Sequence, residues 1–202
     1  MSGNTQTTAT HRPLAALGAP RSAEAILTAI SAETSASGFH IKSARRIEGR
    51  VTSDSLHSFA AAMRSRVGFE HLSAISCVDW IAEAEFELVY HFWSYRDNCM
   101  VSAKTRIQRE PGMMATITDL WLPSSFFERD IHEFYGVVFE GNTDLERYIL
   151  SDWKGPPPMR KDFSSRDFAH EHFTFKDYEP TWDEMIEGGY HGSNGNPGVS
   201  NE

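Results

Sequence analysis

The chain has 202 residues, of which 40% are apolar and 23% are charged, a composition typical of a folded globular protein. Its 19 basic and 28 acidic residues give a formal net charge of −9 at pH 7, which argues against a nucleic-acid-binding protein, because such proteins present a basic surface. Only two cysteines occur, whereas an iron–sulfur cluster normally needs about four thiolates, so this chain alone is expected to hold none.

The sequence predicts neither a membrane-spanning segment nor a secretion signal. No apolar run approaches the ~20 residues that cross a bilayer, and the polar first ten residues lack the apolar segment of a signal peptide. Residues 1–20, rich in Ser, Thr, Ala and Pro, predict a disordered arm. We therefore expect a soluble, cytosolic protein that begins with an unstructured segment.

A core domain over residues 21–140 is predicted to follow. Its first helix is expected to be capped by Ser22 and to carry Ile26 and Ile30 on one face. A second helix is predicted between the second and third strands and should end at Gly68. A hairpin turn is expected between the fourth and fifth strands. The predicted strands are residues 39–45, 46–52, 70–80, 86–95 and 99–107.

Two further helical signals follow the strands. Residues 116–119 read Thr-Ile-Thr-Asp and fit a loose capping box, which predicts the start of a helix. Residues 126–135 predict a third helix, which Gly136 should end.

The segment over residues 141–186 shows little periodicity but many charges and large aromatic side chains. Of the 24 aromatic residues, 15 lie between Trp121 and Tyr190, and each gains roughly 1.5–3 kcal/mol when buried. We therefore predict an extended tail that packs on partner subunits, so the core should stay folded without it. Residues 187–202, dominated by Gly, Asn and Ser, predict a flexible C-terminus.

Candidates for catalysis are weak. Nucleotide-binding, hydrolase-elbow and zincin motifs are missing from the sequence. His170 and His172 would share one face of a strand and could hold a metal, although surface histidines are commoner. His71, Cys77 and Asp79 would suit a thiol nucleophile with a base, but the apolar strand around Cys77 favours a structural thiol.

Two charged clusters are more informative. Residues 128–130 read Glu-Arg-Asp on the third helix, which indicates either a solvated face or an ion network buried against a partner subunit. Glu128 and Glu133 lie about 140° apart around a helix, so they do not form an acid–base pair. Arg160 follows a rigid triple proline, and an arginine held in this way suits carboxylate pairing across an interface.

These clusters, in this order, resemble the signature of the 30-kDa (NuoC-type) subunit family of respiratory complex I, and the resemblance extends over residues 40–180. The signature positions, which we expect to form a partner interface, are Glu128, Arg129, Asp130, Glu133, Phe134, Tyr135, Gly136, Asp144, Leu145, Arg147, Asp152, Trp153, Arg160, Lys161, Asp162 and Phe163.

The resemblance implies an α+β domain with a mainly antiparallel sheet, helices packed on it, and a long extended C-terminal tail. It implies a structural subunit with no catalytic residue, metal or cofactor of its own, in a proton-pumping NADH:quinone oxidoreductase. Such a subunit belongs to the quinone-reducing connecting module of the hydrophilic arm. There it docks the large hydrogenase-like (NuoD-type) subunit beside iron–sulfur subunits.

The resemblance also implies where the cofactors and the membrane contact lie, and it leaves the type of complex open. Flavin and iron–sulfur clusters are expected in the partner subunits, and contact with the inner or plasma membrane, on its cytoplasmic face, is expected only through the complex. A deazaflavin-dependent dehydrogenase or a membrane-bound hydrogenase would use a subunit of the same type. A free-standing metal-dependent hydrolase using His170 and His172, or an unrelated adaptor domain, is the remaining alternative.

Overall fold

A computed structural model describes residues 19–34, 36 and 38–173. Most of the predicted N-terminal arm, the end of the predicted tail and the predicted flexible C-terminus lie outside the described residues. The elements in chain order are α1 (Ala23–Glu33), β1 (His40–Ser43), β2 (Arg46–Arg50), α2 (Ser53–Ala62), β3 (His71–Trp80), β4 (Glu85–Ser94), β5 (Cys99–Gln108), β6 (Met113–Ala115), α3 (Ser124–Tyr135), β7 (Val138–Glu140) and α4 (Ser165–His172).

Five strands form the main sheet in the order β1-β2-β5-β4-β3. β1 pairs with β2, β5 with β4 and β4 with β3 in antiparallel fashion, whereas β2 pairs with β5 in parallel. β6 and β7 form a small parallel pair, which α3 connects because parallel neighbours need a crossover. The predicted α+β fold with a mainly antiparallel sheet is confirmed.

The hydrophobic core lies between one face of this sheet and the helices α1, α2 and α3. Ile26 and Ile30 of α1 and Leu56 of α2 are fully buried there. The ring of Phe59 meets that of Phe92 on β4 edge-on, with 6.1 Å between the ring centroids. Along β5 buried and half-buried residues alternate, as expected for a strand with one face on the core.

The predicted helix ends agree with the structure in two places. The hydroxyl of Ser22 accepts a hydrogen bond from the amide of Ala25 at 3.3 Å, which confirms the predicted cap of α1. α2 continues into a π-helical turn, Met63–Val67. Gly68 then ends it with a φ of +85°, a conformation that favours glycine.

The capping box predicted over residues 116–119 is wrong. α3 begins at Ser124, with Pro123 before its first turn, so no helix starts at the threonines. The hydroxyl of Thr116 instead donates a hydrogen bond to the Glu128 carboxylate at 2.6 Å. The same hydroxyl accepts from the amide of Thr118 at 3.2 Å, but residues 118–120 form a turn and no helix follows them directly.

The compact unit that contains the sheets extends to Phe163, whereas the predicted core domain extended to residue 140. Residues 141–163 form neither helix nor strand, but their backbone and side chains bind α3, β3 and the loop after β5. The first part of the predicted tail therefore has extensive contacts within its own chain. Packing of the tail on partner subunits stays a prediction.

A second unit begins at Ser164, and its described part is α4. The hydroxyl of Ser164 accepts from the amide of Asp167 and caps this helix. The placement of His170 and His172 on one strand face is wrong, because two residues apart in a helix means about 200° around the axis. Among the described residues, no helix is long and apolar enough to cross a membrane.

Candidate functional site

The signature residues gather around α3, and Glu128 lies on the face of this helix that is turned into the fold. Its side chain is buried, and one carboxylate oxygen accepts from the backbone amide of Ile117 at 3.0 Å. The other accepts from the Thr116 hydroxyl and from the Asn142 amide at 2.9 Å. Burial raises the pKa of Glu128, and these donors only partly oppose that rise. Glu128 thus joins three chain segments through neutral donors.

Glu133 binds a different segment from another side of α3. Its carboxylate accepts from the backbone amides of Tyr148 at 3.2 Å and Ile149 at 3.1 Å, and from that of Leu150. Burial by itself would raise the pKa of Glu133, but the three amides outweigh it and lower the pKa. The carboxylate therefore fixes the backbone of residues 148–150 along the helix.

Arg129 completes this attachment. Its Nε donates to the backbone carbonyl of Glu146 at 2.5 Å, and its Nη1 pairs with Asp144 at 3.1 Å. The guanidinium carbon also lies 5.3 Å from the centre of the Tyr148 ring, within the range of a cation–π contact. Residues 144–150 are consequently held against α3 by two neighbouring turns of the helix.

A second cluster holds the signature residues 160–162, and its centre is Arg109. The guanidinium of Arg109 binds both carboxylate oxygens of Asp79, at 3.0 and 3.1 Å. It also binds both oxygens of Asp162, at 2.5 and 3.1 Å. The amide of Lys161 donates to Asp79 at 2.8 Å, so a buried carboxylate on β3 receives an ion pair and a backbone bond together. Arg109 was not among the predicted site residues, because no local pattern in the sequence marks it.

Arg160 lies in the same cluster and binds atoms of its own chain. Its Nε donates to the backbone carbonyl of Tyr135 at 2.7 Å, and its Nη1 pairs with Glu110 at 2.6 Å. Its guanidinium and that of Arg109 lie 5.4 and 5.8 Å from the centre of the Phe86 ring. Within this chain the carboxylate partner of Arg160 is therefore Glu110, and its pairing across an interface stays a prediction.

Gly136 is required where this cluster meets the end of α3. Its φ is +80°, and a Cβ placed on it would lie 3.0 Å from a carbon of Pro157 and 3.1 Å from Arg160. Any other residue would therefore meet both backbone strain and a steric contact. This geometry explains why the signature ends α3 with glycine.

The remaining signature residues divide into buried and exposed groups. Leu145 packs against the core, and the rings of Trp153 and Phe163 meet edge-on at 5.7 Å. Phe134 and Tyr135 are half-buried, whereas Asp152 and the Lys161 side chain are exposed. Arg147 and Asp144 are exposed too, and Asp130 is half-buried. A partner interface over these residues stays a prediction, and it depends on the exposed groups.

The structure does not assemble a thiol site from His71, Cys77 and Asp79. His71 lies beside Tyr95, with 5.5 Å between the rings, whereas Cys77 is paired with Leu88 further along β3. Burial raises the pKa of the Cys77 thiol to about 12, so it is not ionised near neutral pH. Asp79 is bound to Arg109, which leaves no base beside the sulfur.

Comparison with known proteins identifies similar chains. Residues 50–169 match the family model described as respiratory-chain NADH dehydrogenase, 30 Kd subunit. The chain is 29% identical over 124 residues to a subunit of the F420H2 dehydrogenase of Methanosarcina mazei, and the match covers 61% of this chain and 78% of that protein. It is 38% identical over 103 residues to a subunit of the NADH-quinone oxidoreductase of Rhizobium meliloti, covering 50% of this chain and 55% of that protein.

Two solved structures are similar as well. A chain of the membrane-bound sulfane sulfur reductase, an archaeal respiratory membrane complex, superposes with a TM-score of 0.72 at 32% identity. That match covers 79% of this chain and 96% of the other. A trypsin-resistant fragment of Nqo5 superposes with a TM-score of 0.50 at 23% identity, over 60% of this chain and 98% of the fragment, which shows a shared fold.

Proposed function

Since the chain belongs to the 30-kDa subunit family of the respiratory-chain NADH dehydrogenase, we propose that it is a structural subunit of a complex I-like membrane oxidoreductase. Its proposed place is the quinone-reducing connecting module of the hydrophilic arm, on the cytoplasmic face of the membrane. There it docks the large hydrogenase-like subunit and carries no redox cofactor itself. Flavin and iron–sulfur clusters belong to the partner subunits.

The use that the chain makes of its signature residues supports this proposal. Glu128 and Glu133 bind backbone amides of other segments of the same chain, and Asp162 binds Arg109, 53 positions away. Charged groups engaged in this way hold a surface in shape. A catalytic acid or base instead has to face a substrate across a cleft.

The thiol inventory supports a role without a cofactor. The whole sequence contains two cysteines, against the about four thiolates of an iron–sulfur cluster. Cys77 lies within β3 and Cys99 begins β5, and burial raises the pKa of both thiols. Metal-binding thiols need the opposite shift, because the ligand is the thiolate.

A second candidate function differs from the first in the electron donor of the complex. The F420H2 dehydrogenase relative is similar over 78% of its length, and the sulfane sulfur reductase chain over 96% of its length. This breadth favours the same docking role in a complex fed by a deazaflavin, or in a relative of the membrane-bound hydrogenases. NADH with quinone as acceptor stays our first choice, supported by the family description and the Rhizobium meliloti relative.

The proposal can be tested by affinity purification from the native host. The full chain with a C-terminal tag would be produced from its own gene, and membranes would be solubilised in a mild detergent before capture. We expect the large hydrogenase-like subunit to be recovered with it, together with the subunit that accepts electrons from the donor. Recovery of the tagged chain only from the soluble fraction, without that large subunit, would contradict the proposal.

A further inference from the structure

Four large apolar side chains next to α3 are more than half exposed to solvent. Leu122 is 77%, Phe126 59%, Tyr148 65% and Ile149 55% exposed, and we call these four residues the α3-flank patch. Leu122 lies one turn before Phe126, and Arg129, one turn after Phe126, lies under the Tyr148 ring. Phe126, Arg129 and Glu133 share one face of α3, and the last two hold the segment that carries Tyr148 and Ile149. Large exposed apolar side chains gathered beside one helix are typical of an interaction site.

Signature residues of α3 fix the half of the α3-flank patch that lies outside the helix. The Glu133 carboxylate accepts hydrogen bonds from the backbone amides of Tyr148 and Ile149, and Arg129 donates one to the carbonyl of Glu146. The backbone that carries two of the four apolar side chains is therefore fixed before any partner arrives. A surface organised in advance loses less conformational entropy on binding.

Asp130 supplies a charge beside the patch. It lies one turn after Phe126, on the same side of α3, and is half-buried. No hydrogen bond or ion pair to its carboxylate is made by residues 19–34, 36 and 38–173. Its neighbour Arg129 is already bound to Asp144 and Glu146, and Glu133 adds a like charge nearby. A half-desolvated carboxylate in this position is stabilised by a cation from outside the chain.

We infer that the α3-flank patch and Asp130 form the docking surface for a partner subunit that presents an apolar pocket with an arginine or lysine beside it. The inference rests on the proposed function and names the face of the chain that docks the large subunit. The chain's formal charge of −9 complements a basic partner surface. Glu128, Arg160 and Asp162 bind other parts of their own chain and are not part of this docking surface.

The test uses the tagged full chain in its native host, with two kinds of substitution. One variant combines Phe126→Ser with Tyr148→Ser, and the other is Asp130→Lys. The matched control is Ile81→Ser in the turn between β3 and β4, where a side chain of similar character is 49% exposed. We expect either patch variant to recover about tenfold less of the large subunit, because a few central anchors carry most interface energy, while the control recovers the wild-type amount.

The outcomes separate this inference from the proposed function. Thermal melts of the isolated variants should stay cooperative, with a small decrease where Tyr148→Ser removes the ring beside Arg129, which shows that the loss concerns docking and not folding. If wild type recovers the large subunit and both patch variants do so equally well, the inference is overturned while the proposed function stands. Wild-type failure to recover that subunit overturns the proposed function. If the isolated chain forms a dimer that Phe126→Ser with Tyr148→Ser abolishes, a second copy occupies the patch and the inference is overturned.

Discussion

The carboxylates of α3 show how burial and hydrogen bonding separate residues that look alike in the sequence. Glu128 and Glu133 are both buried acids on one helix. Neutral donors leave the pKa of Glu128 raised, whereas three backbone amides lower that of Glu133. The two pKa values shift in opposite directions because the two carboxylates bind different segments of the chain. The raised pKa of Glu128 leads to a prediction about stability and pH.

Glu128 should make the protein less stable as the pH rises above about 4.5. Its pKa in the folded state is raised above the ordinary value of 4.5, so the folded protein binds this proton more tightly than the unfolded chain. The free energy of unfolding then falls as pH rises from the unfolded value through the folded one. Glu128→Gln should remove this fall, measured by urea unfolding between pH 4 and 8.

The control for this prediction is Glu83→Gln, in the exposed turn between β3 and β4. It should keep the wild-type dependence on pH. Glu128→Ala should also lack this dependence, and at pH 4 it should lower the free energy of unfolding by about 2–3 kcal/mol, because it leaves buried donors without an acceptor. Identical pH profiles for wild type and Glu128→Gln would contradict the account.

Arg109 should matter far more for stability than Asp162, although the two form a bidentate pair. Asp79 is 1% exposed, so Arg109→Ala leaves a buried carboxylate without its cation, a loss of about 3–5 kcal/mol. Asp162 is 52% exposed, and Asp162→Ala should change the free energy of unfolding by no more than about 1 kcal/mol. Urea unfolding measures both, with Lys154→Ala as the exposed control. Equal losses in the two variants would disprove this ranking.

At the scale of elements, α1 is attached to the β4–β5 hairpin by one residue pair. The side chain of Asp97 is fully buried and accepts from the amide of Arg21 at 3.0 Å and from its Nη2 at 2.6 Å. Arg96 and Ser94 donate to the same carboxylate. Burial by itself would raise the pKa of Asp97, but these donors hold it well below the ordinary 3.8.

Asp97 should therefore contribute stability at neutral pH that is lost in acid. Because the folded pKa is depressed, the contribution is present above about 3.8 and disappears as the pH falls towards the folded value. Asp97→Asn should melt at a lower temperature at pH 7 and lose less further stability between pH 4 and 2 than wild type. Thermal melts with Asp152→Asn as an exposed control would show this, and parallel curves for wild type and Asp97→Asn would refute it.

The segment 141–163 should be required for the fold, contrary to the expectation from its sequence. In a chain that ends at Gly141, three sets of hydrogen bonds are missing. Glu128 no longer accepts from Asn142, and Glu133 no longer accepts from the backbone amides of residues 148–150. The carbonyl of Tyr135 no longer accepts from Arg160. We expect a fragment of residues 19–141 to melt earlier or without cooperativity, and one of residues 19–163 to melt cooperatively. Thermal melts followed by circular dichroism compare the two fragments. Equal melting temperatures would show that residues 141–163 are not required for the fold.

At the scale of the whole molecule, the chain is an acidic protein with a single compact sheet unit and few thiols. We expect the purified full chain to show no absorbance in the visible region and no stoichiometric iron, because two cysteines cannot supply the about four thiolates of a cluster. Absorbance spectra and metal analysis of the isolated protein measure this. A stoichiometric flavin or cluster in the pure chain would contradict the proposed role.

Local patterns were sufficient for the features that depend on neighbours in the chain. The Ser22 cap, the stop at Gly68 and the hairpin between β4 and β5 all follow from residues within a few positions of one another. The ordered signature from Glu128 to Phe163 identified the family, because it records residue types in sequence order. None of this required knowing which segments meet.

The tertiary structure alone decided where the signature residues point. Arg109 binds Asp162, 53 positions away, and Asp79 accepts from Lys161, 82 positions away. No periodicity specifies such distant partners, so residues 141–163 looked like a tail for another protein and Arg160 like an interface residue. The fold brings these groups together because a buried charge is stable only beside a partner. Which apolar side chains stay exposed, namely Leu122, Phe126, Tyr148 and Ile149, is likewise decided only by the tertiary structure.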